Sequence, residues 1–219
     1  MRPRRSTPKL KIDRHCYEGR TYEDFMRFIA DNPDVPVVQM DSVIGNKSWK
    51  VLLTMFSRNT NLLLAFLRDH NTARSVLDVF NDLYAMFGRE TYCRLFPVIL
   101  TDRGSEFSNP VPIEQDENGE LRSLVFYCNP SAPYQKGGIE VAHELVRRVL
   151  PKGKSFDDLQ QEDIDLMLSH INSYKRGKLN SRSAYQLFSF IYGDDILPKL
   201  NIREIEPNDI VLSPKLLKK

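Results

Sequence analysis

The chain has 219 residues and a net charge of +2, with 41% apolar and 27% charged side chains, which suits one well-packed core of ordinary globular composition. No apolar run approaches the roughly 20 residues that a bilayer span needs, and the basic start from Met1 to Arg5 is followed by no apolar signal segment. A cytosolic protein without a membrane partner is therefore expected, and Cys16, Cys93 and Cys128, far apart and without metal-ligand spacing, read as buried or incidental thiols of a reducing compartment.

Residues 1–34 are basic and polar, with a short helical stretch near 22–29 that ends at Asn32 and Pro33, and they read as a linker or remnant. Strand-like runs follow at 35–44, 50–57 and 62–68. The turn residues Gly45, Asn46 and Lys47, and then Arg58 to Asn61, join them as an antiparallel meander. A helix is predicted over 72–87, where Val76, Leu77, Phe80, Leu83, Tyr84 and Phe87 form one stripe and Gly88 supplies a stop. The run 96–101 is apolar until its last residue, as a central strand would be. Asn118-Gly119 reads as a hairpin tip leading into a strand at 124–128. Helices are then expected from Gly137 to Leu150, stopped by Pro151, from an N-cap at Ser155 to Tyr174, and over 183–192. The remainder, 193–219, reads as an irregular tail ending in two lysines.

This order, β-β-β-α-β-(hairpin)-β-α-α, predicts an α/β fold with a mixed five-stranded sheet flanked by helices across a core of 35–192. It is the ribonuclease-H-like order of elements. By that resemblance, acidic residues belong where the first and fourth strands lie side by side and on a later helix.

Three carboxylates stand at such places. Asp41 and Asp102 lie in or at the end of apolar β-type runs, where a charge is costly unless it is paired or binds a cation. Glu140 opens an amphipathic helix whose apolar stripe is Ile139, Ala142, Val146 and Val149. Acidic groups from two strands and a helix can hold two divalent cations about 3.5–4 Å apart, an arrangement that cuts and joins phosphodiesters. Taken singly, each reads more readily as an ordinary strand-end or helix-start carboxylate; the three together point to a metal site. Basic residues lie nearby. Lys136, Arg147, Arg148, Lys152 and Lys154 flank Glu140, Lys175 and Arg176 begin a stretch free of acids, and residues 1–20 hold seven Lys/Arg against two acids. Such segments suit a polyanion, and these residues are the candidate DNA contacts. Trp49 and Tyr134 could stack on bases, although Trp49 reads more readily as a core or sheet-edge residue. His143 reads as solvent-facing, Glu106 as a residue serving its loop, and Gly137-Gly138 as either a close approach for DNA or a flexible helix entry.

The motifs MDS at 40–42, TDRGSEF at 101–107 and PYQKGGIE at 133–140 resemble the DDE catalytic core of bacterial insertion-sequence transposases of the IS-thirty type, relatives of retroviral integrases. SAPYQKG at 131–137, LPKG at 150–153, NSYKR at 172–176 and SAYQLF at 183–188 are similar to segments of the same branch, so the resemblance spans roughly 35–192. It implies metal-dependent DNA strand cleavage and strand transfer with two Mg²⁺ or Mn²⁺ ions. Asp41 would bridge them, with Asp102 on one and Glu140 on the other. The implied partners are double-stranded DNA, both transposon ends and target, and further copies of the chain assembled on it in a bacterial cytoplasm. A catalytically inactive remnant that acts as a DNA-binding or interaction module, and a free-standing ribonuclease-H-like nuclease, are the alternatives. Arg103 stands where the family commonly has Asn, and Val141 where Asn is frequent. Arg103 is expected either to compete for Asp102 or to clamp a phosphate. The 34 residues ahead of the core are fewer than the helix-turn-helix region that usually reads the transposon ends.

Overall fold

The computed structural model describes residues 14–217; the basic stretch before Arg14 and the final two lysines lie outside the described residues. Five strands, β1 (Val37–Ile44), β2 (Val51–Ser57), β3 (Leu63–Arg68), β4 (Val98–Thr101) and β5 (Leu124–Tyr127), form one sheet in the order β3-β2-β1-β4-β5. β1, β2 and β3 are the expected antiparallel meander, while β4 runs parallel to both β1 and β5. The helices are α1 (Tyr22–Asp31), α2 (Ala73–Leu95), the single turn α3 (Val111–Glu114), α4 (Gly137–Val149), α5 (Gln161–Ser173), α6 (Ala184–Tyr192) and the single turn α7 (Ile196–Lys199).

Side chains on a strand alternate between its faces, and β4 uses both. Ile99 joins a large core with Met40, Phe80, Ile139, Phe156 and Met167. Val98 and Leu100 join a smaller one with Phe25, Val37 and Phe126. Phe25 belongs to α1, so the short helix expected within a linker is packed on the second face of the sheet. Thr21 and Asp24 start it with a reciprocal capping box. Arg20 adds a two-pronged ion pair to the buried Glu114 (2.8 and 2.6 Å), and its carbonyl accepts the Tyr127 N–H on the outer edge of β5 (2.8 Å). At the other end, Ile196, Leu197, Leu200 and Ile202 are buried in the main core. The backbone of Arg203 and Ile205 donates to Ser169 and Ser173 of α5 (3.1 and 2.9 Å). The segment expected as a tail thus runs packed along α5.

Three local expectations change. Gly88 does break helical geometry, with φ +71°, but helical turns resume beyond it to Leu95. The hairpin at 118–119 is a single bridge between Gln115 and Leu121, closed by the Asp116 carboxylate on the Asn118 and Glu120 N–H groups (2.9 and 3.0 Å). Ser155 caps no helix. Asp157 Oδ1 instead accepts from Ser48 Oγ and from the N–H groups of Trp49 and Lys50 (2.8, 2.8 and 3.0 Å), which staples this loop to the β1–β2 connection. α5 begins six residues after Ser155, capped by Gln160 and Asp163.

Candidate functional site

The parallel register of β1 and β4 builds the site. Gln39 lies opposite Leu100, so Asp41 and Asp102, each two residues further on, leave the pair at the same level and on the same face. β4 ends at Thr101 while β1 continues against β2, opening a fork beside the two carboxylates. Each aspartate is held in the same way. Asp41 Oδ1 accepts the Ser42 N–H (2.8 Å) and Asp102 Oδ1 the Gly104 N–H (2.9 Å), and both Oδ2 atoms face one cation.

That cation is Lys136. Its Nζ lies 3.3 Å from Asp41 Oδ2, 3.2 Å from Asp102 Oδ2 and 3.2 Å from the Met40 carbonyl oxygen. Its side chain is only 5% exposed. The expectation of a DNA-facing Lys136 therefore differs from its place in the structure. The reason is steric. Gly138 sits so close to β1 and β2 that a Cβ there would lie 2.8 Å from Gln39 Oε1 and 2.6 Å from the Phe56 ring. Gln39 Oε1 accepts the Ile139 N–H (2.8 Å), so the entry to α4 is pinned on the sheet and Lys136 points into the fork. The close approach at Gly138 is thus to the protein's own sheet.

Glu140 is exposed, on the first turn of α4. It lines one cleft of about 460 Å³ with Asp41, Asp102, Arg103 and Lys136. The structure therefore gathers the two aspartates on an ammonium and leaves the glutamate on the rim. Among the described residues, no three His, Cys, Asp or Glu side chains are close enough to hold a metal ion together. Cys128 lines the same cleft, and burial pushes its thiol up to about 11.

His143 does not face solvent. It is half-buried, and its Nε2 shares a 2.8 Å hydrogen bond with Thr54 Oγ1, which donates to the Asp41 carbonyl (3.0 Å). Burial holds the imidazole below its usual pKa, with the Asp41 charge pulling the other way. The expectation failed because one polar position of α4 lies over β2, opposite the small Thr54. Arg103 does not pair with Asp102, as one expectation had it. Its guanidinium stacks over Tyr17, 4.9 Å from the ring centre, and Nε donates to the Cys128 carbonyl (3.3 Å). The stretch ahead of α1 supplies that aromatic face, which no local pattern around Arg103 could show.

A network on the other flank of Asp41 was not anticipated. Arg68 is 4% exposed and donates to Ser42 Oγ, Asn71 Oδ1 and Ser75 Oγ (3.1, 2.8 and 2.8 Å). Burial lowers its pKa to about 10. Asn71 in turn donates to Glu106 (2.9 Å), which ties the segment after Asp102 to the loop ahead of α2. The one sequence sign was an arginine closing the apolar run of β3.

The remaining candidate contacts divide by exposure. Arg148, Lys152, Lys154 and Lys175 are exposed, whereas Arg147 and Arg176 are half-buried and donate to the carbonyls of Ile44 and Ile171 (both 3.4 Å). Tyr134 and Trp49 are 78% and 77% exposed, so Trp49 is not a core residue.

No family model matches the chain. It is 28% identical over 151 residues to ORF3 of Spiroplasma virus SpV1-R8A2 B, named as an integrase, covering 69% of this chain and 45% of that protein. It is 23% identical over 154 residues to the transposase for insertion sequence element IS4351 of Bacteroides fragilis, covering 70% and 44%. The chain thus spans less than half the length of these curated relatives. Among solved structures, a chain of the simian T-cell lymphotropic virus intasome, in complex with PP2A regulatory subunit B56 gamma, superposes with a TM-score of 0.53 at 17% identity, over 78% of this chain and 58% of that one. The fold is ribonuclease-H-like. The resemblance in sequence is to transposases and integrases, and no helix among the described residues is long and apolar enough to cross a membrane.

Proposed function

We propose that this chain is the catalytic core of a DDE-type transposase or integrase of the IS-thirty kind, cutting and joining DNA strands with two Mg²⁺ or Mn²⁺ ions. The observation that carries the reading is the register-matched pair Asp41 and Asp102, each with one oxygen pinned by a backbone N–H and the other aimed at a shared cation. Two carboxylate oxygens and the Met40 carbonyl around one positive charge are an all-oxygen donor set, the kind that hard divalent cations take. The residues fit such an ion, with Asp41 and Asp102 as ligands and Glu140 joining from the rim. Bound there, the ions would activate an oxygen nucleophile and relieve charge on the leaving oxygen.

The chain's own groups have separable tasks. The Thr54–His143 bridge fixes the backbone at Asp41. Arg68 and Asn71 brace the next residue, Ser42. Arg148, Lys152, Lys154 and Lys175, with Arg147 and Arg176 behind them, offer charge to the phosphates of double-stranded DNA. Tyr134 stands exposed on the turn that leads to Lys136. Copies of the chain are expected to assemble on the transposon ends and target, in the cytoplasm and at the nucleoid.

The satisfied charge of the fork also supports a second reading, a remnant that binds DNA without chemistry. Incubation with a pre-nicked element end and a target plasmid in Mn²⁺ separates the readings. Joined products that disappear in Asp41→Asn and Asp102→Asn support the proposal. Nicks alone point to a nuclease, and no product with retained DNA binding points to the remnant.

A further inference from the structure

The position of Lys136 asks more of the site than ion pairing. An ammonium has three N–H donors and no acceptor. The Met40 carbonyl, Asp41 Oδ2 and Asp102 Oδ2 stand at 3.2, 3.3 and 3.2 Å, one oxygen for each donor. Among the described residues no other Lys or Arg forms an ion pair with either aspartate. The neighbouring guanidiniums are engaged elsewhere, Arg103 over Tyr17 and Arg147 on the Ile44 carbonyl. Without this lysine, two carboxylates would face one another across the fork with no ion-paired cation to offset their repulsion.

We propose that Lys136 is a positioning residue that occupies the place of the first divalent cation. It keeps Asp41 and Asp102 aligned before metal arrives, and the incoming ion displaces it. The proposal rests on the metal-dependent reading above. Oxygen ligands close to about 2.0–2.1 Å around Mg²⁺. The same oxygens must therefore draw in by about 1 Å, and no ammonium can remain between them. The residues on either side of Lys136 are held, Gln135 by its side-chain Oε1, which accepts the Asn129 N–H (2.7 Å), and Ile139 by its N–H on Gln39 Oε1 (2.8 Å). Displacement is accordingly a swing of the side chain. The cleft of about 460 Å³ that Lys136 already lines receives it. Metal entry would then deliver an ammonium to the space where a phosphodiester must lie, which is how a buried lysine could come to contact DNA.

The test is Mn²⁺ binding to the whole chain, followed by calorimetry and by melting temperature, in wild type, Lys136→Gln, Lys136→Met and Asp102→Asn. The expected result is a lower melting temperature for both Lys136 variants without metal, with a larger rise on adding Mn²⁺. Their Mn²⁺ affinity should be tighter by about tenfold, and Asp102→Asn should abolish the response. A Lys136 variant that folds only when Mn²⁺ is present gives the same support. Equal or weaker Mn²⁺ binding by the variants overturns the proposal while leaving the metal site standing. Variants that fold neither with nor without Mn²⁺ also overturn it, because metal would then be no substitute for the ammonium. If no chain shows Asp102-dependent binding, the metal-dependent reading itself fails and takes this inference with it.

Discussion

The outer edge of β3 and the fork between β1 and β4 both enclose polar groups, but of opposite kinds. β3 pairs on one side with β2 alone. Its other edge is closed by amide side chains of α5. Asn172 accepts the Leu63 N–H and donates to the Leu63 carbonyl (2.9 and 2.8 Å), and Gln161 does the same for Leu67 and Ala65 (2.8 and 3.1 Å). These amides imitate a sixth strand without charge. In the fork, the balance is between ions, and each partner could be exchanged for another of the same sign. Neutral hydrogen bonds fix a structure in one state. A charge balance in which, on the proposal above, a metal replaces the ammonium would leave room for chemistry.

The largest effect should come from the neutral edge. Asn172→Leu leaves the buried N–H and carbonyl of Leu63 unpaired, a loss of about 2–4 kcal/mol in urea unfolding. The Mn²⁺ response of the folded fraction should not change. A loss below about 1 kcal/mol would show that the amide closure is not what secures β3.

A smaller effect is expected from Arg103→Asn, which tests whether the fork reaches beyond its own three charges. Since the guanidinium is stacked on Tyr17, Mn²⁺ affinity should stay within about threefold of wild type. The stretch ahead of α1 should become more open to limited proteolysis. Tighter Mn²⁺ binding would instead restore direct competition between Arg103 and the metal for Asp102.

The smallest concerns a neutral group away from the fork. His170 Nδ1 accepts the Val211 N–H (3.1 Å), and burial holds the imidazole below its usual pKa against the opposite pull of Asp209. As pH falls, the unfolded chain takes up this proton first. The histidine's contribution to stability is therefore complete above about pH 6.5 and is lost as pH drops through that value towards the folded pKa. The stability difference between wild type and His170→Gln should shrink between about pH 7.5 and 5.5. A difference independent of pH would mean that His170 is not held neutral.

The strands were legible because their signals are local: an apolar run at 96–101, alternation elsewhere, and turn residues between. The aspartate pair was legible for a related reason, since a charge ending an apolar strand demands a partner. The identity of that partner was hidden. Lys136 precedes a helix, where no periodicity gives its direction, and only the contact of Gly138 with Phe56 aims it inward. The same limit explains His143, whose exposure was set by Thr54 on another element, and Arg103, whose companion is Tyr17. Ser155 misled because Ser-x-x-Asp is equally good chemistry for a helix start and for a loop, and Asp157 found its donors on a distant turn.

Gly138 carries a consequence for how such a chain decays. Gly137, its neighbour, would have no atom within 4 Å of an added Cβ, whereas at Gly138 that carbon would meet the ring of Phe56 at 2.6 Å. A copy released from selection on its site can exchange the exposed Glu140 and still assemble its sheet, because that residue belongs to neither core, whereas Asp41 and Asp102 balance the buried Lys136. Replacing the single hydrogen at Gly138 would lift α4 from β1 and β2. Degenerate descendants that still fold should therefore shed Glu140 sooner than this glycine, leaving a trace of the site in a residue that takes no part in it.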